Sequence, residues 1–285
     1  MFNRFLILFS LLTVFSCSVS AEQRDGDMSL EQSVCGLKEP LSFWLWSRLA
    51  GKPNANQLSD LNHVEDISFE TKDHRVLRGY KLKATGNEGE LITPEGYLLV
   101  LQGNAILADR LISEFARFSS AGFDVYIYDF RGYGRSEGRR RLKAIVSDYM
   151  EVIAALNSAD YEKHLIYAMS FGGIAFLNGF EQHTGLDRII VDSAPSRLSD
   201  YGCPEEYDHV NHLPDDCSHC MFIVGRNDTV IPLAMSQELV DKAQQKGAVI
   251  LRDEEFGHPF MDYDWLVHRR RLKIMEEYLL NNKLP

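Results

Sequence analysis

Leu165-Ile166-Tyr167-Ala168-Met169-Ser170-Phe171-Gly172-Gly173 carries a continuous apolar run into a serine and then a pair of glycines. A run of this kind suits a strand buried on both faces, and a helical pattern, Gly172 to Glu181, follows it. A strand that folds straight back into a helix needs small residues on either side of the turning residue. Ala168 and Gly172 supply them, so Ser170 is pushed out at the carboxyl end of the strand, where ligands gather if the sheet is open and parallel.

The flanking chain has the pattern of such a sheet. Val64 to Phe69 and Val76 to Leu82 form a hairpin pattern turning at Lys72-Asp73. Further apolar runs follow at Tyr97 to Leu101, Val125 to Tyr128, Leu165 to Met169, Ile189 to Val191, Met221 to Val224 and Val249 to Leu251. Helical periodicity falls between them at Leu107 to Ser120, Leu142 to Leu156, Leu233 to Lys246 and Trp265 to Asn281, with Gly122 and Gly247 where C-terminal caps belong. Strand and helix alternating through short loops predict an α/β fold, a doubly wound, mainly parallel sheet with helices on both faces.

Other strand ends carry the groups that an exposed serine needs. Tyr97 to Leu101 runs into Gln102-Gly103-Asn104-Ala105, a turn that can aim the Asn104 amide at a developing oxyanion, with the Phe171 amide as second donor. Met221 to Val224 ends in Gly225-Arg226-Asn227-Asp228, whose carboxylate can orient an imidazole. Asp192, ending its own strand, is the reserve for that role. Of the nine histidines, His258 alone follows a glycine beyond the last strand. The candidate catalytic set is therefore Ser170, Asp228 and His258, in the order Ser, Asp, His.

With Asp129-Phe130-Arg131-Gly132-Tyr133-Gly134-Arg135-Ser136 after the fourth strand, these motifs give a chain that resembles the α/β-hydrolase superfamily from about His63 to the C-terminus. The resemblance implies eight strands and an ester, thioester, amide or related small-molecule substrate. It departs from the superfamily at Gln102, where a histidine is usual, and at Ala168, where the first elbow glycine is usual. The activity expected is that of a serine hydrolase using an acyl-enzyme, with no metal or organic cofactor; a non-catalytic envelope binding protein, an acyltransferase and a peptidase remain as alternatives.

Residues 1–21 have the three parts of an export signal: Arg4, the apolar run Phe5 to Phe15, and small residues ending at Val19-Ser20-Ala21. Val14-Phe15-Ser16-Cys17 also has the form of a lipobox, so the expected location is exported, periplasmic or membrane-tethered through a lipidated Cys17. Residues 22–60 form an N-terminal extension, a polar leader up to Ser33 followed by the aromatic patch Phe43 to Trp46, expected to pack on the core. Residues 61–285 form the hydrolase domain, with a short cap segment at 195–219. A net charge of -11 without a basic face argues against a nucleic-acid partner, and Arg139 to Arg141 and Arg269 to Arg271 are expected on solvated helix faces.

In an oxidising compartment, Cys35, Cys203, Cys217 and Cys220 predict disulfides, Cys203 with Cys217 first and Cys35 with Cys220 second. A metal set of Cys203, His209, His212, Cys217, His219 and Cys220 is the alternative use of that stretch. The cap segment is short and carries Asp200, Glu205, Glu206, Asp208, Asp215 and Asp216. It cannot line a long apolar tunnel without stranding charges, which predicts an open, acidic-rimmed site suited to short acyl groups.

Overall fold

The computed structural model describes residues 30–86 and 88–283; the expected export signal and Cys17 lie outside them. Eight strands form one sheet: β1 (Val64–Glu70), β2 (Val76–Leu82), β3 (Gly96–Leu101), β4 (Phe123–Tyr128), β5 (Lys163–Met169), β6 (Arg188–Asp192), β7 (Cys220–Gly225) and β8 (Val249–Asp253). Their order is β1-β2-β4-β3-β5-β6-β7-β8. The β1-β2 and β2-β4 pairs are antiparallel and all others are parallel.

Alternate residues of each central strand serve two separate cores, as a period of two requires. Tyr97, Leu99 and Leu101 face helices α1 (Lys38–Ala50), α4 (Leu142–Asn157), α5 (Phe171–Leu177) and α6 (Leu233–Gln245). Leu98 and Val100 face α2 (Ala108–Leu111), α3 (Ala116–Ser120) and α7 (Trp265–Asn281). The sheet is thus covered on both sides, which explains why β3 is buried at every residue. The chain leaves β3 for β4 on one side and returns to β5 on the other, and the carboxyl ends of strands at such a switch are where ligands gather in open α/β sheets.

Two elements depart from expectation. The stretch 107–120 is two short helices separated by a 3-10 turn, Ile112–Phe115, which lets Leu111, Ile112, Phe115 and Phe118 all enter the core. The N-terminal extension is more than a leader and a patch: it folds into α1, docked on the body by a buried carboxylate. Glu39 accepts hydrogen bonds from the amides of Val34 and Cys35, the Ser33 hydroxyl and the first amide of α4 at Leu142. Glu31, within the stretch expected to be a free leader, meets Arg75 and the Arg139 amide at 3.1 and 3.0 Å.

The cysteine pairing also differs. Cys35 is bonded to Cys203, tying the start of α1 to the cap segment, while Cys217 and Cys220 are free and buried. The expected Cys203–Cys217 and Cys35–Cys220 bonds are not formed, because folding carries Cys35 across 168 residues of sequence to Cys203. The metal alternative loses its first sulfur to the same bond and His209 to a hydrogen bond with the Pro195 carbonyl. Among the described residues, no three His, Cys, Asp or Glu side chains gather to hold a metal.

Candidate active site

Ser170 sits between β5 and α5 with φ 52° and ψ -119°, a left-handed turn that a non-glycine residue adopts only under strain. Its amide donates to the Asp192 carbonyl on the neighbouring strand end at 2.8 Å, which holds the turn. The glycine requirement is visible in the packing. A Cβ on Gly172 would lie 2.1 Å from the Leu101 carbonyl oxygen, so α5 can start this close to β3 only without a side chain there. Ala168, in place of the first glycine, is accommodated fully buried.

The β3 turn lies beside the serine: a Cβ on Gly103 would stand 3.5 Å from the Ser170 Cβ and 4.0 Å from its Oγ. Asn104 is held by the Tyr133 hydroxyl, which donates to Asn104 Oδ1 at 2.5 Å and so links the β3 turn to the loop after β4. Phe171 opens α5, where an amide has no carbonyl partner within the helix. Its ring is wedged edge-on between Phe43 of α1 (5.2 Å between centroids) and Phe130 (5.4 Å). Gln102 is fully buried, close to the Asp129 carboxyl.

Asp228 and His258 come together. His258 Nδ1 donates to Asp228 Oδ2 at 2.9 Å, and Asp228 Oδ1 accepts from the amides of Val230 and Ile231, both at 2.8 Å. Burial pushes the Asp228 carboxyl upward, but the His258 hydrogen bond and charge, aided by those amides, bring it below the ordinary carboxylate value. The two loops are laced by backbone contacts: the Arg226 amide donates to the Asp253 carbonyl and Asn227 to that of Phe256. Gly225 is needed there, since a Cβ would fall 2.0 Å from the Phe256 oxygen. The structure records no hydrogen bond between Ser170 and His258 among the described residues; the serine meets the β3 turn, and the histidine meets the acid.

Asp192 is excluded from the imidazole by its own partners. Both of its oxygens accept from Arg271 Nη1, at 2.8 and 2.9 Å, and Oδ2 accepts from the Tyr167 hydroxyl at 2.9 Å. Arg271 was expected on a solvated face, but it is fully buried in α7. It also donates to the Gly257 carbonyl at 2.6 Å and to Asp262 at 3.2 Å, bracing the loop that carries His258. The sequence held a signal for this: Arg271 lies four residues before Met275 and eight before Leu279, on the buried stripe of the helix.

The eight-stranded sheet and the serine elbow define the class: the chain has the α/β-hydrolase fold. Residues 92–214 match the family model described as serine aminopeptidase, S33, a span that contains the elbow and stops short of Asp228 and His258. Among curated relatives, the uncharacterized protein YfhR of Escherichia coli is 23% identical over 227 residues, 73% of this chain and 79% of that one. A polyketide transferase of Penicillium crustosum is 30% identical over 124 residues, 41% of this chain and 39% of its own. An esterase of Pyrococcus furiosus has a similar fold, with TM-score 0.61 at 15% identity over 81% of this chain and 96% of that chain. A puromycin-hydrolyzing peptidase of Mycobacterium tuberculosis gives 0.60 at 18%, over 80% and 40%.

Proposed function

We propose that the protein is a serine hydrolase that cleaves a small ester, thioester or amide through an acyl-enzyme. The observation that carries this is the Asp228–His258 hydrogen bond beyond the carboxyl ends of β7 and β8, on the same side of the parallel sheet as the strained Ser170 turn after β5. In this reading His258 Nε2 takes the Ser170 proton as Oγ attacks the acyl carbon. Asp228 holds the Nδ1 proton and stabilises the imidazolium, and the amides of Asn104 and Phe171 receive the oxyanion. His258 then protonates the leaving group, and water repeats the sequence to release the acid. This route draws only on groups of the chain and water.

The Cys35–Cys203 disulfide is consistent with an exported protein. We extend this to residues 1–21 as an export signal with Cys17 as a candidate lipid anchor. A second reading, aminopeptidase action, is favoured by the family description and by the exposed carboxylates of Asp200, Glu205, Glu206, Asp215 and Asp216, which would attract a substrate ammonium. Fluorophosphonate labelling with an ester and aminoacyl-anilide panel tests both. Ser170→Ala should lose the label and lower kcat by on the order of 10^4 to 10^6; turnover surviving in that variant would end the assignment. Faster cleavage of aminoacyl anilides than of acyl esters would select the peptidase.

A further inference from the structure

Helix α1 is half seated. Phe43 and Ala50 enter the core and Trp46 packs partly against it. Its outer face carries Leu37 (91% exposed), Leu41 (57%), Trp44 (49%), Leu45 (40%) and Leu49 (48%). Leu37 immediately precedes the helix, and the set falls on positions i, i+4, i+7, i+8 and i+12, one stripe at helical periodicity. Single exposed leucines are ordinary on a protein surface, but a contiguous stripe marks an interaction surface.

Within the segment 36–52 the exposed charges are all of one sign, although the disulfide brings the acidic cap to its N-terminal end. From Gly36 to Lys52 the exposed charged residues are Lys38, Arg48 and Lys52, whereas the acid of the helix, Glu39, is buried. Arg48 lies over the Trp44 ring at 5.6 Å. Arg140 extends the basic character, donating to the Ser47 hydroxyl of the helix at 2.7 Å, with Arg139 exposed next to it. In a chain of net charge -11, this face is apolar and cationic.

We propose that the outer face of α1 docks on an anionic lipid bilayer. Leucines and a tryptophan flanked by Lys and Arg, with no exposed acid among them, are what an interfacial helix presents to headgroups and acyl chains. Anionic headgroups complement Lys38, Arg48 and Lys52, a local attraction that acts against the net charge of -11 on the whole chain. A second copy fits less well, because a two-fold interface would bring Lys38, Arg48 and Lys52 against their own images. The chain leading into this helix points the same way, on the proposed reading of Cys17 as a lipid anchor: that residue lies 20 positions before Leu37. A chain held at Cys17 keeps Leu37 within at most roughly 70 Å of the surface. The Cys35–Cys203 bond fixes that end of the helix to the cap, and Phe43 on the inner face touches Phe171, so the docked helix borders the candidate active site.

The test uses full chain recovered after its own export processing, carrying Trp46→Phe and Trp265→Phe so that Trp44 is the sole tryptophan. It is mixed with phosphatidylcholine vesicles with or without phosphatidylglycerol, each containing chain-brominated lipid. Trp44 fluorescence should be quenched in the anionic vesicles and recover as salt is added. Leu41→Glu with Leu45→Glu should lower partitioning by roughly tenfold or more, and Lys38→Gln, Arg48→Gln and Lys52→Gln by roughly fivefold each. Leu41, Leu45, Lys38, Arg48 and Lys52 are exposed, and Trp46→Phe keeps an aromatic ring against Phe43, so the fold is not at stake. Trp44 left unquenched while the protein cosediments through its N-terminus would overturn the proposal. So would a Trp44 already shielded from acrylamide without vesicles, by a second copy or by the leader that precedes the helix. Equal quenching in phosphatidylcholine alone would overturn the choice of an anionic surface.

Discussion

Asp228 and Asp192 both sit at the ends of strands and both are buried, but their partners give them different work. In the proposed mechanism Asp228 faces an imidazole that changes charge during turnover, whereas Asp192 faces a guanidinium that never does. Asp228→Asn should therefore keep the fold and lower kcat by on the order of 10^4. Asp192→Asn should instead strand the Arg271 charge and cost about 3–5 kcal/mol in urea unfolding; a fully stable Asp192→Asn protein with no activity would move the imidazole role to Asp192. Asp129, buried at the end of β4, behaves in a third way. Burial, only partly offset by the Ala108 amide, pushes its carboxyl up to about 6. The folded state then holds a proton that the unfolded chain, with its value of 3.8, has released. Its contribution to stability is favourable below about pH 4 and is lost as pH rises through 6, a loss of roughly 3 kcal/mol. Asp129→Asn should flatten that part of the pH profile of stability; an unchanged profile would show that the group titrates normally.

At the scale of elements, α1 and the cap segment are one unit, because Cys35 and Cys203 join them. Peptide mapping of non-reduced protein should find that pair linked, with Cys217 and Cys220 recovered as thiols only after denaturation. A Cys203–Cys217 peptide would contradict the fold of the extension. Closing so long a loop contributes about 5 kcal/mol in the chain-entropy model, so Cys35→Ser with Cys203→Ser should lower stability by up to that amount. The cap is also less acidic in effect than its composition suggested. Asp208 is buried, accepting from the Leu198 and Ser199 amides and from Arg197, and cannot belong to an acidic rim.

For the whole molecule, the candidate site lies at the carboxyl ends of β3 and β5, where the chain switches sides, with the inner side of α1 against Phe171. A long acyl chain gains about 0.8 kcal/mol per CH2 only where apolar walls enclose it. The exposed Asp200, Glu205, Glu206, Asp215 and Asp216 offer no such enclosure. Across an ester series from acetate to palmitate, kcat/KM should peak at short chains. A steady rise to the longest ester would mean that α1 and the cap form a binding wall together.

The sheet was legible because its strands are covered on both faces, so each appears as an unbroken apolar run, and because Ser170, Gly103, Asp228 and His258 each sit just beyond such a run. Local patterns of this kind are written in neighbouring residues. What the sequence by itself determined is thus the α/β sheet, the strand ends and the strained serine turn, all products of short-range sterics and burial. The tertiary structure alone decided the rest. Folding brings Cys35 to Cys203 across most of the chain, sets Arg271 against Asp192 and so leaves Asp228 for His258, and turns an N-terminal extension into a helix over Phe171. Those pairings depend on which surfaces meet, and residues far apart in sequence carry no local periodicity that announces their partner.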